Sequence, residues 1–443
     1  MRSTLIQNVL DAELPAIESA SGVWLTDTEG RRYFDACSGA VVTTIGHAHP
    51  HVVRAIAEQA AKVTFTHRGA FTSTATDALA DRLTAMTGYA GAWFVNSGSE
   101  ATEAAMQFAL QYFRETGRPE RQWFLSHRKG YHGNTLGGLS LSGHARRGVA
   151  GELAHDFPVL TAPYAFRDAP GLTDAEYSAV LLGDARRRFE EHGGTLAAVV
   201  VEAVGGATLG CTTPPDGYLQ GLRALCDEFG VLMIVDEVMT GAGRTGTMLA
   251  VDHWDVRPDI VALGKGLAAG YSPMAATLVN ERVLGAIREG SGRIHGGHTY
   301  AGNPLSIATG MAVLDVLENE KVIERAAALA PVFQAHMERV ASVHPSIVDV
   351  RGIGMMRAFE FELTDGRQRA TGALAARFAA ISQHEGAIVY ATTGGYNDAV
   401  SVAPPLVATE TELDELFDII DRALTVFETE LGIGVPVLEG TVS

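Results

Sequence analysis

The stretch PDIVALGKGLAAG, Pro258 to Gly270, decides how the chain is read. Its apolar run, Ile260 to Leu263, is bounded by Pro258 on one side and by glycines on the other, so it reads as a buried strand ending in a turn. Lys265 stands at the mouth of that strand. A buried ammonium is costly unless it is paired or put to use. Two readings are therefore open: a surface lysine after a strand, or a nucleophile that is neutral part of the time. Gly266 and Gly270 leave room there for a bulky ligand. A phosphate-loop reading is weaker, because Gly264-Lys265 is followed by Gly266 and not by Ser or Thr.

Outward from this point, short apolar runs recur at AWFVNS (from Ala92), QWFLS, LAAVVVEA, VLMIVDEV and MAATLVN. Helical segments separate most of them, such as GYLQGLRALCDEFG with Leu219, Leu222 and Leu225 on one face. The alternation predicts an α/β fold, a mostly parallel sheet with helices on both faces. The two ends differ. GVWLTDTEGRRYFDACSG reads as strand, turn, strand. From about Leu314 helices are followed by short strands around VDVRGIGMMRAFEFEL and by a last helix, TELDELFDIIDRALTVFE, with Leu413, Leu416, Phe417, Ile420, Leu424 and Phe427 on one stripe. The expected organisation is a large domain over residues 61–313 and a smaller α+β domain built from both termini, 1–60 and 314–443.

With 443 residues, the chain is long enough for about two to three domains. Its 52 acidic against 34 basic residues, a net charge of −18, argue against a general nucleic-acid or anionic-membrane surface. Cys37, Cys211 and Cys226 show no Cys-x-x-Cys spacing, so no disulfide framework or zinc site follows and a reducing, cytoplasmic setting is expected. The opening MRSTLIQNVLDAELP carries Asp11 and Glu13 and is not expected to be a secretory signal. No run of about 18 apolar residues predicts a membrane span.

Asp236 ends the strand VLMIVDEV, at the edge where open α/β sheets bind ligands. There it suits a ring nitrogen; the plainer alternative is that Asp236 or Glu237 caps the next element. Gly241-Ala-Gly243-Arg-Thr-Gly246 matches a dinucleotide fingerprint, but the residues after it lack helical periodicity, and a glycine-rich active-site turn fits better. In Asn96-Ser-Gly-Ser-Glu-Ala101, Ser97 and Glu100 fit a capping box, and the amides of Gly98 and Ser99 suit a phosphate. Plain capping is equally consistent. Tyr131, in Tyr131-His132-Gly133, could stack on a flat ring or be a loop tyrosine. His47, His49 and His51 lack metal-ligand spacing, as do His295 and His298, so no metal is expected. A lysine for an imine, an acid for a ring nitrogen and a helix start for a phosphate are together what pyridoxal 5'-phosphate needs from a protein.

These pieces, in this order, resemble the class III pyridoxal-phosphate aminotransferases, the ω-aminotransferase subgroup of fold type I. The match runs from Gly22-Val-Trp-Leu-Thr-Asp and Gly46-His-Ala-His-Pro50 through NSGSEA, YHG, the Glu202 segment, DEVMTGAGRTG, GKGLAAGYSP and HTYAGNPLS to APPLVAT, Ala403 to Thr409. The resemblance implies that Lys265 is the covalent anchor and proton shuttle and that Asp236 pairs with the pyridinium nitrogen. It implies Tyr131 on one ring face, Val238 on the other, Gly98 and Ser99 at the phosphate, and Glu202 near the cofactor. Thr299 is implied to reach the phosphate of a neighbouring subunit, which makes a homodimer with shared sites.

Three departures bear on substrate. The Glu202 segment runs Glu202-Ala203-Val204-Gly205, without the family's frequent glutamine. Val41 stands where many relatives carry tryptophan, which predicts a roomier pocket. Many relatives place an arginine before the Pro-Pro-Leu segment to hold a keto acid's carboxylate; GAIVYATTGGYNDAVSVAPPL has none. Val41, Phe71 and Tyr390 are the candidate substrate residues, and Arg68 is a candidate replacement cation. The expected reaction moves an amino group from a primary amine or ω-amino acid to a keto acid, with pyruvate tolerated more readily than 2-oxoglutarate. A racemase, aminomutase or decarboxylase on the same scaffold is the alternative, and a non-catalytic nucleotide-binding protein the remote one.

Overall fold

In the central strands, alternate side chains enter two different cores. Val199, Val201, Met233, Val235 and Val261 pack in one cluster with Leu219, Leu222 and Leu225 of the helix Tyr218–Phe229. Ala198, Val200, Leu232, Ile234 and Ile260 pack in the other with Ala105, Phe108, Ala109 and Phe113 of the helix Gly98–Glu115. Strand side chains point alternately to opposite faces, and here both faces are covered, which is why these runs are continuously apolar. The computed structural model describes residues 4–10, 12–363 and 370–433.

The seven-stranded sheet has the order Gly91–Val95, Ala275–Val279, Ile260–Leu263, Leu232–Glu237, Leu196–Glu202, Trp123–His127, Val159–Leu160. Ala275–Val279 runs against both of its neighbours; the other pairs are parallel. The expected mostly parallel α/β sheet is thus present. Its register matters for the site: Glu202 lies opposite Asp236, and Asp236 opposite Ala262. Three strands therefore end at one level, and the chain that leaves the third reaches Lys265 two residues after Leu263.

A four-stranded antiparallel sheet follows, ordered Ile347–Ile353, Met356–Phe361, Ala399–Val402, Tyr390–Ala391. The helix Glu410–Leu431 starts at a capping box made by Thr409 and Glu412 and buries the predicted stripe from Leu413 to Phe427. The N-terminal three-stranded sheet, Ile17–Ser21, Trp24–Asp27 and Arg32–Phe34, is bonded to this C-terminal part: Phe34 N donates to Gly386 O and Ile388 N to Phe34 O, both at 2.8 Å.

Arg244 joins these parts. It is 1% exposed, and its guanidinium donates to Pro404 O (2.6 Å), Met355 O (3.2 Å) and Ser38 Oγ (3.0 Å). Burial lowers its pKa to about 10. The Gly241–Gly246 turn that carries it leads into no long helix, only the short 3-10 turn Ala250–Trp254. Gly241 is needed for packing, since a Cβ there would lie 2.9 Å from the backbone oxygen of Glu237. Among the described residues, no helix is long and apolar enough to cross a membrane.

Candidate active site

The ends of the three strands surround a cavity of ≈ 160 Å³. A cavity of about 150 Å³ holds a six-membered aromatic ring. Its walls include Gly98, Ser99, Tyr131, Glu202, Asp236, Val238 and Lys265, together with His132, Gly133, Val204, Met239 and Thr240.

Asp236 and Glu237 take different roles because they point to opposite sides of the strand. Glu237 is fully buried and accepts from Thr240 Oγ1 and from the amides of Ala250 (3.0 Å) and Val251 (2.9 Å). Burial raises its pKa to about 7. It is the strand-end acid that caps the next element. Asp236 is left facing the cavity, 7% exposed, with Oδ1 accepting from Val238 N and Oδ2 held by His132 Nδ1, each at 3.0 Å.

His132 is buried, and its Nε2 has no hydrogen-bond partner. Burial pulls its pKa down, but the bond to Asp236 and the charges of Asp236 and Glu202 outweigh this, so the net shift is upward. The proton on Nδ1 is thus directed at Asp236. Glu202 accepts from the amides of Tyr131 (3.1 Å) and Gly206 (2.9 Å). Burial raises its pKa; the His132 charge opposes the shift and Asp236 adds to it.

Lys265 starts a short 3-10 turn and has a φ of 41°, in the left-handed region where a side chain is disfavoured. Such backbone persists when the surroundings over-determine it. Burial lowers its pKa to about 8; Asp236 and Glu202 pull it upward, and Arg244 pushes it down. An amine with this pKa is partly neutral near pH 7–8, as a nucleophile or proton carrier requires.

On the opposite wall, Ser97 caps the helix Gly98–Glu115 by accepting from Glu100 N. The reciprocal arm differs from the predicted capping box: Glu100 Oε2 reaches Asn96 N and Nδ2 instead. The first amides of a helix have no intrahelical acceptor, and those of Gly98 and Ser99 belong to residues that line the cavity. Close packing fixes this corner. A Cβ on Gly98 would lie 2.7 Å from Val238 Cγ1, and one on Gly133, at φ 113°, would lie 2.6 Å from Ser99 Oγ. Gly98, Ser99, Tyr131, Glu202, Asp236, Val238 and Lys265, all expected from the sequence as site residues, thus line one cavity.

Four predicted residues stand outside the lining. Val41 is buried in the turn Ser38–Val41, where its own φ is 59° and its amide donates to Cys37 O. Phe71 is 68% exposed, in a stretch between helices. Thr299 is exposed on the stretch before the helix Pro304–Asn319. Tyr390 is half-buried at the start of the short strand Tyr390–Ala391, outside the lining, and burial raises its pKa while a hydrogen bond to Thr393 lowers it. Arg68 is exposed and lies over the Trp93 ring, 4.4 Å from its centroid. The histidines of GHAHPH face acids: His47 meets Asp35 (3.0 Å), His49 meets Glu320 (3.0 Å) and His51 meets Asp315 (2.9 Å). Among the described residues, no group of three or more His, Cys, Asp or Glu side chains is placed to hold a metal. His132, Met239 and Thr240 line the cavity although the sequence assigns them no role, and His132 adjoins Tyr131; the Gly241–Gly246 turn, expected at the active site, does not line it.

The family model for class-III aminotransferases matches residues 7–424. The aminotransferase YodT of Bacillus subtilis is 36% identical over 442 residues, 97% of this chain and 99% of that protein. An ω-aminotransferase of Caulobacter vibrioides is 33% identical over 425 residues, 92% of this chain and 93% of that protein. Among solved structures, an amine transaminase from an uncultivated Pseudomonas species, in its PLP-bound form, superposes with a TM-score of 0.90 at 31% identity, covering 96% of this chain and 99% of that one.

Proposed function

The chain belongs to the class-III aminotransferase family, and on that premise we propose that it binds pyridoxal 5'-phosphate in the ≈ 160 Å³ cavity and moves an amino group from a primary amine or ω-amino acid to a keto acid such as pyruvate. One observation carries this reading: Lys265, Asp236 and Glu202 meet at the ends of three adjacent strands, opposite the start of the helix Gly98–Glu115.

When bound, pyridoxal phosphate supplies an electron sink for the carbon that loses the amino group. The chain's own residues do the rest. Asp236, aimed by His132 and by Val238 N, would hold a proton on the ring nitrogen. Lys265 Nζ, with its pKa near 8, would be the group that holds the cofactor covalently and the base that moves a proton at the reacting carbon. The Gly98 and Ser99 amides would bind the phosphate at the positive end of their helix. Tyr131, tied by its amide to Glu202, and Val238 both line the cavity and would pack against the ring.

Several finer proposals accompany this one. The active unit is a homodimer in which Thr299 reaches the neighbour's phosphate site; the exposure of Thr299, of Tyr300 (65%) and of Phe71 (68%) in a single chain supports it. Residues 1–60 and 314–443 form one smaller domain beside the cofactor domain 61–313. The protein works in the cytoplasm, in line with three free cysteines and no membrane-spanning helix among the described residues.

The test is stoichiometric. Purified protein loaded with pyridoxal phosphate, an amine and pyruvate should form one alanine for each amine consumed. Conversion of the donor by inversion, amino-group migration or CO2 loss, with its amino group retained and no alanine formed, would transfer the reading to a racemase, aminomutase or decarboxylase. Comparing kcat/KM for pyruvate and 2-oxoglutarate settles the acceptor, with pyruvate expected to lead.

A further inference from the structure

The cavity's walls hold two carboxylates, Glu202 and Asp236, and one lysine. A substrate carboxylate buried there would lack a partner, which is strongly disfavoured. Residues 390–403 supply no arginine or lysine.

A cation does stand at the rim. Arg146 Nη1 donates to the hydroxyl of Tyr131 at 3.3 Å, and its guanidinium carbon is 5.9 Å from the Tyr131 ring centroid. Tyr131 itself lines the cavity. Arg146 is exposed, and no carboxylate among the described residues lies within ion-pair distance of it. Other basic residues are paired, Arg147 with Asp156 (3.1 Å), Lys129 with Asp168 (3.5 Å) and Arg167 with Glu360 (2.7 Å); Arg128, which lines a separate surface pocket beside Arg147, is not among the cavity's walls.

The backbone beneath Arg146 is fixed. Its amide donates to His144 Nδ1 at 3.0 Å, which leaves the proton on Nε2 to donate to Thr393 Oγ1 at 2.8 Å. The His144 ring also packs 5.1 Å from the Tyr131 ring. Thr393 N in turn donates to Ala207 O at 3.0 Å, so the C-terminal segment and the strand-end loop both hold this corner. The guanidinium lies beyond the hydroxyl end of Tyr131, whose amide end is held by Glu202. Arg146 is thus one tyrosine side chain and one hydrogen bond away from the reacting centre.

We propose that Arg146, with the Tyr131 hydroxyl, is the residue pair that binds a substrate carboxylate several bonds removed from the reacting amine. This rests on the aminotransferase reading and narrows its substrate class. The donor is an ω-amino acid whose carboxylate stays at the rim while its amine reaches Lys265. A guanidinium suits this task because its planar donors match a carboxylate.

Two ligands of matched length test it on the holoenzyme: 5-aminopentanoate and pentylamine, with pyruvate as acceptor. Wild type should favour 5-aminopentanoate. Arg146→Gln should lower kcat/KM for 5-aminopentanoate by about tenfold or more, mainly through KM, the scale of a lost hydrogen bond to a charged group. Pentylamine should fall by no more than about threefold, the precision expected of a residue that does not touch the neutral chain. Arg146→Lys should recover part of the loss. Equal losses for both donors would overturn the proposal, because Arg146 would then only support Tyr131. So would a wild type indifferent to the carboxylate. Equilibrium binding of pentanoate, which has no amine to transfer, separates the two claims. Binding weakened in Arg146→Gln with no amine transfer from any donor would sink the reaction and leave the carboxylate site standing. Binding unchanged in the variant would sink the carboxylate site whatever the reaction.

Discussion

At the floor of the cavity, the ionisable groups hang from the ends of adjacent strands; at its rim they hang from loops. Glu202 and Asp236 face each other across a strand pair, and Lys265 follows the next strand by two residues. Their spacing is set by the sheet, whose strands lie about 4.8 Å apart. Tyr131, His144, Arg146 and Thr393 come from three separate segments, tied by single hydrogen bonds or ring contacts. The floor is a rigid device for one chemistry. The rim can change by single substitutions without moving the sheet, which is where specificity is expected to vary. Substitutions at the floor should therefore cost turnover for every substrate, and those at the rim should discriminate among substrates.

The largest effect is expected from Lys265→Ala. The same nitrogen forms the covalent link and moves the proton, so kcat should fall by about 10⁴-fold or more, above the usual range for a single general base. Cofactor should still bind non-covalently. Turnover retained at a tenth of wild type would end the distinction between floor and rim. Asp236→Asn comes next. An amide cannot hold a proton on the ring nitrogen, and a loss of roughly 3–4 kcal/mol in single-turnover rate is a few hundred-fold. His132→Ala removes the group that aims Asp236; a lost hydrogen bond to a charged group, about 1.5–3 kcal/mol, corresponds to roughly 10- to 150-fold in the same assay.

How much of this could be read in advance follows the same division. The strand VLMIVDEV announces itself by an unbroken apolar run, and the site acid at its end was legible. Which of Asp236 and Glu237 enters the cavity rests on the family resemblance, because a strand buried on both faces carries no polar alternation to tell them apart. The structure decides through Glu237, whose carboxylate is occupied by the Ala250 and Val251 amides. Arg244 was legible only as part of a glycine-rich turn. Its partners Ser38, Met355 and Pro404 lie more than a hundred positions away, so its bridging of the two ends of the chain left no local signal. The rim suffers most from this. Val41 and Phe71 were chosen by position along the chain, and neither reaches the cavity wall; Arg146 has no motif and is found only by its contact with Tyr131.

Charge sharpens the comparison further. In the cofactor-free protein, reaction of Lys265 with an amine-directed reagent should rise with pH through a midpoint near 8, against about 10.4 for an ordinary lysine. Only the neutral amine reacts, so the rate is high above the midpoint and low below it. Asp236→Asn should move the midpoint lower still, since Asp236 favours the ammonium form. A midpoint that rises on this substitution would show that the floor acids do not act on Lys265 as described.

A smaller effect concerns the proposed neighbour. Thr299→Ala should weaken cofactor retention by about 1.5–2 kcal/mol, roughly ten- to thirtyfold, the low end for a hydrogen bond to a charged group because Thr299 is exposed. Equilibrium dialysis of the cofactor reads it, and sedimentation of the same sample should show a dimer. A fully active monomer would remove Thr299 from the site.

The central claim is that Lys265, and no other lysine, is the residue joined to the cofactor. The chain makes the test clean because it has four lysines, Lys62, Lys129, Lys265 and Lys321. Lys62 and Lys321 are exposed, and Lys129 is paired with Asp168. Borohydride reduction of the cofactor-loaded enzyme, followed by proteolysis and peptide mapping, should place the pyridoxyl label on the peptide containing Lys265 alone. Label on Lys62, Lys129 or Lys321, with Lys265 unmodified, would contradict the account.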